Sequence, residues 1–166
     1  VTSAAITRDG RAVVTGCKDG KIRFWKVGAF PHWETRIRHQ GPVNDGRFTP
    51  DGKAVATGGQ DGMVKVSSVK DGLNRFRPVW HRQAIGFLAF SPSGEKILVG
   101  ENSPGRFAVA GLWSGLTGER LIEPIRHRSN LICGAFSPDS THFVLGTEGG
   151  RVAVWPLNNR YEPLME

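Results

Sequence analysis

Cysteine is scarce in this chain, with two among 166 residues, Cys17 and Cys133. They lie far apart and have no His or Cys neighbour at ligand spacing, which argues against a zinc site or a redox motif. Both are expected to be buried thiols in a reducing, cytoplasmic compartment. No run of about 18 apolar residues exists, so no helix is expected to cross a membrane. The first residues, Val1-Thr2-Ser3-Ala4-Ala5-Ile6, lack the basic and apolar regions of an export signal. No stretch of about ten residues free of Gly and Pro carries apolar residues at helical spacing, and no helix is expected. Also missing are a Gly-x-Ser-x-Gly elbow, a phosphate-binding loop and a His-rich metal run. The acidic residues fall mostly in turns, where Asp favours the local geometry. The chain is therefore not expected to be an enzyme, and no catalytic residue, metal or cofactor is assigned.

What the chain has in abundance is glycine. Its 22 Gly and 10 Pro favour many short strands joined by tight turns. With 39% hydrophobic residues it should fold rather than stay disordered. The formal charge of +7 is spread along the whole length and is weak evidence for an acidic partner.

Self-similarity carries the argument. The stretch Arg47-Phe48-Thr49-Pro50-Asp51-Gly52 recurs as Ile6-Thr7-Arg8-Asp9-Gly10, Phe90-Ser91-Pro92-Ser93-Gly94 and Phe136-Ser137-Pro138-Asp139-Ser140, at spacings of 42, 42 and 46 residues. A second anchor follows 19 residues later as Trp25, Ser67 and Trp155, and 23 later as Trp113, so the third unit has an insertion around Glu101 to Gly111. A third anchor, His39, His81 and His127, comes 14 residues further on. A period of this length points to propeller blades, expected at 1–42, 43–84, 85–130 and 131–166.

Each unit divides into four strands. The innermost, such as Ile85 to Phe90 and Leu131 to Phe136, is rich in small residues. The second and third, such as Ala54 to Thr57 and Met63 to Val66, are nearly all apolar, which suits strands packed on both faces. The fourth carries Pro78, Pro124, Arg36 and Arg38, as an edge strand should. The expected fold is all-β, four four-stranded antiparallel sheets arranged as propeller blades, forming part or half of a closed ring.

In its Asp-Gly turns, the Trp six residues after that Asp and the His ahead of the next unit, the chain resembles the WD-repeat β-propeller family. The Phe-Ser-Pro-Asp turns and Thr117-Gly118-Glu119-Arg120-Leu121 are similar to repeats of bacterial signalling proteins. The resemblance implies a hydrogen-bonded set of His, Ser or Thr, Asp and Trp in each blade, holding loop, turn and strand together. No unit here has all four. The first offers Thr15, Asp19 and Trp25; the second His39, Thr57 and Asp61, with Ser67 in the Trp place. The third keeps His81 and Trp113, with Val99 replacing the hydroxyl and no aligned Asp. The fourth keeps His127 and Trp155, with Leu145 and Gly149 elsewhere.

Four blades left open would expose an apolar packing face at each end. Three arrangements follow: half of a longer propeller, a head-to-tail homodimer forming an eight-bladed ring, or four blades closed on themselves. The second is favoured if the chain is the whole molecule. Functionally the resemblance implies a scaffold for protein–protein interaction, with partner contacts expected at Lys18, Gln60, Arg82, Arg128 and Glu148, on loops at one end of the blades. The alternative is nucleic-acid or other polyanion binding through Arg36, Arg38, Arg82, Arg126 and Arg128, weakened by the scarcity of aromatic residues beside them, Trp80 apart.

Overall fold

The computed structural model describes residues 1–28, 33–102 and 107–157, with the backbone alone at 33–36. Among them there is no helix and there are fifteen strands. The first antiparallel sheet runs in chain order through β1 (Ser3–Ile6), β2 (Ala12–Gly16), β3 (Lys21–Lys26) and β4 (Trp33–Arg38). The second contains β5 (Val43–Phe48), β6 (Ala54–Gly59), β7 (Met63–Ser68) and β8 (Val79–Trp80). The third contains β9 (Ala84–Phe90), β10 (Lys96–Asn102), β11 (Ala108–Ser114) and β12 (Ile125–His127). The fourth has three strands among the described residues, β13 (Leu131–Phe136), β14 (His142–Thr147) and β15 (Val152–Pro156). The place expected for its outer strand lies outside the described residues. Pro78 and Pro124 stand just ahead of the short outer strands β8 and β12, where a missing N–H breaks no ladder.

The turn between first and second strands explains the repeated sequence. The hydroxyl of Thr49 donates to Asp51 Oδ1 at 2.5 Å, and Asp51 also accepts from the Lys53 N–H at 3.0 Å. Thr7 with Asp9 and Ser137 with Asp139 repeat the bond, at 2.6 and 2.5 Å. The hydroxyls of Thr7, Thr49 and Ser137 hold these carboxyls below the usual range, Asp139 at about 2. A left-handed residue then closes the turn: Gly10 (φ 69), Gly52 (φ 68) and Gly94 (φ 75), but Ser140 (φ 56) in the fourth unit. A side chain in this region carries a steric cost of about 1–2 kcal/mol. Ser140→Gly should therefore stabilise the protein by roughly 0.5–1 kcal/mol, read as a raised urea midpoint at unchanged slope.

Inner strands β1, β5, β9 and β13 lie side by side in succession, whereas β13 and β1 do not pack on each other in this way. The sheets thus form an open arc. Its core is three apolar layers, one between each pair of sheets: Val14, Phe24 and Val55 lie in the first, Val66, Leu88 and Ile97 in the second, Leu98, Phe143 and Trp155 in the third. Close approach near the axis depends on glycine, since a Cβ on Gly16 or Gly58 would collide with Val43 or Ile85 of the following sheet. Polar groups also cross between sheets. Thr2 Oγ1 donates to the Val43 carbonyl, Asn44 Nδ2 to the Ile85 carbonyl at 2.8 Å, and the Leu88 N–H to Asp45 Oδ2 at 2.9 Å.

The ends of the arc differ from its interior. On the second strand, Val14, Ala56 and Leu98 are buried by the next sheet, while the equivalent Val144 is 36% exposed. On the third strand, Ile22, Val64 and Ala110 are buried, and the equivalent Val152 is 54% exposed. At the opposite end Val13 is only half-buried where Val55, Ile97 and Phe143 are fully covered. The same asymmetry corrects one expectation: Cys17 is buried but Cys133 is exposed. Cys133 occupies the place of Asp45 and Phe87, which are covered by a following sheet that the described fourth sheet does not have.

Candidate functional site

The residues expected to hold each blade together converge most fully in the second. His39 Nδ1 donates to Asp61 Oδ1 at 2.9 Å, and its Nε2 accepts from the Thr57 hydroxyl at 2.9 Å. Asp61 also accepts from the backbone N–H of Gln40 at 2.9 Å and of Met63 at 3.1 Å. One carboxylate thereby joins loop, turn and strand. Burial pushes the His39 imidazole below its usual value, against the opposing pull of Asp61. Burial also acts to raise Asp61, but the His39 and backbone N–H bonds outweigh it and leave the carboxyl below its ordinary range. The pair is therefore neutral imidazole and carboxylate at pH 7. Ser67, in the Trp place, donates to Asn74 Oδ1 at 2.8 Å instead.

The other blades hold partial versions. In the first, Trp25 Nε1 donates to Thr15 Oγ1 at 3.0 Å, and Asp19 pairs with Arg23 at 3.0 Å. In the third, His81 Nδ1 donates to Glu101 Oε1 at 2.8 Å, so the acidic place is filled after all. The insertion shifts the turn out of alignment, and a carboxylate one methylene longer, on β10 itself, reaches the same imidazole. Its signal in the sequence is a lone Glu at the start of the insertion, visible only once the strand register is known.

His81 Nε2 and Trp113 Nε1 are buried with no hydrogen-bond partner among the described residues, and their rings meet edge to face at 4.9 Å. The cause is Val99, which is apolar where Thr57 and Thr15 supply hydroxyls. Val99→Thr, nearly isosteric, should let one hydroxyl donate to His81 and accept from Trp113, raising stability by about 1–2 kcal/mol in urea unfolding. In the fourth blade Trp155 Nε1 is likewise unpartnered, beside Leu145, and His127 stands edge-on to Trp155 at 6.2 Å.

The expected partner-contact residues Lys18, Gln60, Arg82, Arg128 and Glu148 are all exposed. They sit on the turns between second and third strands and on the loops that enter each inner strand, which in an antiparallel four-strand unit share one end. Gln60 and Glu148 are tied to those loops through the backbone, by the Gln60 N–H to the Pro42 carbonyl at 2.8 Å and the Glu148 N–H to the Asn130 carbonyl at 2.9 Å. Of the arginines considered for polyanion binding, Arg38, Arg82, Arg126 and Arg128 are exposed, and the side chain of Arg36 lies outside the described residues. No group of three or more His, Cys, Asp or Glu placed to hold a metal occurs among the described residues. Among the same residues no helix is long and apolar enough to cross a membrane.

Comparison with known proteins agrees with the geometry. The family model for the WD domain, G-beta repeat, matches residues 1–26 and 34–66, within the first two units. No curated protein sequence matches the chain. Among solved structures it is similar to the computationally designed Ika4 protein, at 28% identity and a TM-score of 0.79, over 95% of this chain and 91% of that one. It is also similar to the computationally designed Ika8 protein, at 27% identity and a TM-score of 0.80, over 98% of this chain but 47% of that one. A family match over two repeats and solved neighbours that are designed propeller proteins are consistent with the WD-repeat β-propeller family. Repeats of this family serve in general as interaction scaffolds.

Proposed function

We propose that the chain is a non-catalytic scaffold for protein–protein interaction and that two copies join head to tail into an eight-bladed ring. The observation that carries this reading is the uncovered face at each end of the arc, apolar at positions the interior sheets bury. The two faces are also complementary in kind. The one bearing Val144 and Val152 is the type that receives a following sheet, and the one bearing Val13 is the type that docks on a preceding sheet. Ile132, 59% exposed, aligns with Thr2 and Asn44, which reach across to Val43 and Ile85; in a ring it would meet Val1 of the second copy, itself 82% exposed. Apolar would then meet apolar, and both ends of both copies would be covered at once. The chain's span of 47% of Ika8 is in keeping with this reading, since a chain of about twice the length leaves room for a second array.

The ring would present Lys18, Gln60, Arg82, Arg128 and Glu148 of each copy on one rim, and we assign partner contact to that rim. The unpaired thiols Cys17 and Cys133 suit a reducing, cytoplasmic setting. Light scattering on the purified chain tests the assembly. The expected mass is about 36 kDa, twice the 18.1 kDa of one chain. A mass near 18.1 kDa together with cooperative unfolding would sink it.

A further inference from the structure

We propose that the groove between inner strands β1 and β5, at their turn ends, binds a carboxylate carried by an apolar segment of a partner protein. Two departures from the repeat meet there. The turn after the first strand has Pro50, Pro92 and Pro138 in three units but Arg8 in the first. Near the end of the inner strand stand Ala5, Ala89 and Ala135, but Arg47 in the second unit. Both arginines line one cavity of about 460 Å³, together with Ala5, Phe48, Thr49 and Pro50. Among the described residues no carboxylate lines it.

Neither arginine is consumed by the fold. Arg8 is exposed and its side chain makes no hydrogen bond or ion pair among the described residues. An arginine in a turn position that suits proline gives up the stiffness proline supplies, and this one gains no contact in exchange. Arg47 is held in place: its Nε donates to Asp45 Oδ2 at 3.2 Å, and Asp45 is fixed in turn by the N–H groups of Gly46 at 2.8 Å and Leu88 at 2.9 Å. That bond leaves both terminal nitrogens of Arg47 without a partner among the described residues. Setting Asp45 against the two guanidiniums leaves one positive charge, the complement of a single carboxylate rather than of a doubly charged phosphate. A guanidinium grips a carboxylate in paired, charge-assisted bonds. Ala5 and Phe48, half-buried against the first core layer, give the groove an apolar floor for the side chains that flank the carboxylate. Strand direction puts the groove at the end of the blades opposite Lys18, Gln60 and Glu148, so it is a second contact surface. Only the protein source of the carboxylate rests on the scaffold reading, because the groove lies within one chain.

The test is fluorescence anisotropy of a labelled, end-capped Gly-Leu-Glu-Leu-Gly peptide titrated with the full chain at low salt. Wild type should bind it, and should bind the same peptide with Gln in place of Glu roughly tenfold more weakly. Arg8→Pro with Arg47→Ala restores the residues of the other units, so the melting temperature should hold while affinity falls roughly tenfold or more. Arg8→Pro alone, which leaves the Arg47 bond to Asp45 intact, should lose roughly threefold or more. Lys53→Ala with Lys70→Ala removes as much charge from the same end of the blades, and should change affinity by less than about twofold. The proposal is overturned if wild type binds no more tightly than the double arginine variant, if the lysine variant loses as much, or if the Gln peptide binds equally well. It is overturned too if N-acetylglutamate competes as well as the peptide, or if a single-stranded oligonucleotide displaces the peptide at a lower concentration than unlabelled peptide does. A monomeric mass by light scattering would refute the ring and leave this result untouched.

Discussion

Val144→Asp should leave the protein a monomer of 18.1 kDa, where the proposed ring gives wild type twice that mass. Val144 lies mid-strand on the outer face of the last sheet, at the position where Ala56 and Leu98 are completely covered by their neighbours. In the ring a carboxylate there would lose its water with no basic group aligned to meet it, and an unpaired buried charge costs several kcal/mol or titrates to its neutral form. A head-to-tail pair makes the contact twice, so the penalty counts twice. In the separated chain the same side chain is already 36% exposed, and the carboxylate keeps its hydration. The folded monomer should therefore survive, with a urea midpoint equivalent to within about 0.5 kcal/mol of wild-type monomer. Light scattering and circular dichroism on the same samples separate the two effects. A variant that stays dimeric would show that the copies meet through another surface.

The second large effect is expected at Asp61. Asp61→Ala removes the acceptor of three donors at once, the buried His39 Nδ1–H and the N–H groups of Gln40 and Met63. The His39 imidazole is buried while the Gln40 N–H is exposed and can turn to water, so the loss should be about 1–3 kcal/mol, a large share of the 5–15 kcal/mol that holds an ordinary domain together. Chemical denaturation at pH 7.5 reads this directly, and a loss under about 0.5 kcal/mol would show that water replaces the carboxylate without penalty. The pH profile adds a signature. His39 has a folded value below its unfolded 6.5, so the unfolded chain binds the extra proton; its contribution is full above 6.5 and is lost as pH falls toward the folded value. Asp61 is also lowered, from 3.8, so its contribution declines only as pH falls below about 4. Asp61→Ala should lack its share of that second decline while the decline below 6.5 persists.

Much of the fold was legible in the chain. The spacing of Phe48, Phe90 and Phe136 marks the units, and the Thr49-Pro50-Asp51-Gly52 turn is legible because its hydroxyl, carboxylate and left-handed glycine act within six residues of one another. Local chemistry of that kind survives translation along the chain, and so do the apolar second and third strands. The candidate site was legible where all its members stay in register, as with His39, Thr57 and Asp61. It was not legible at Glu101, because the insertion moves the acid from turn to strand and only the β9–β10 pairing restores it opposite His81. The exposure of Cys133 was not legible for another reason: every inner strand is rich in small residues, and burial depends on whether a sheet follows.

By itself the sequence determined the period, the strand order within each blade and the turn chemistry, all of which are set by contacts over a few tens of residues. The tertiary structure decided what depends on neighbours. It placed Leu98 at 0% exposure and Val144 at 36% on equivalent positions, and paired Glu101 with His81. Burial is a property of two packed faces, and no single repeat carries the information about which face meets it.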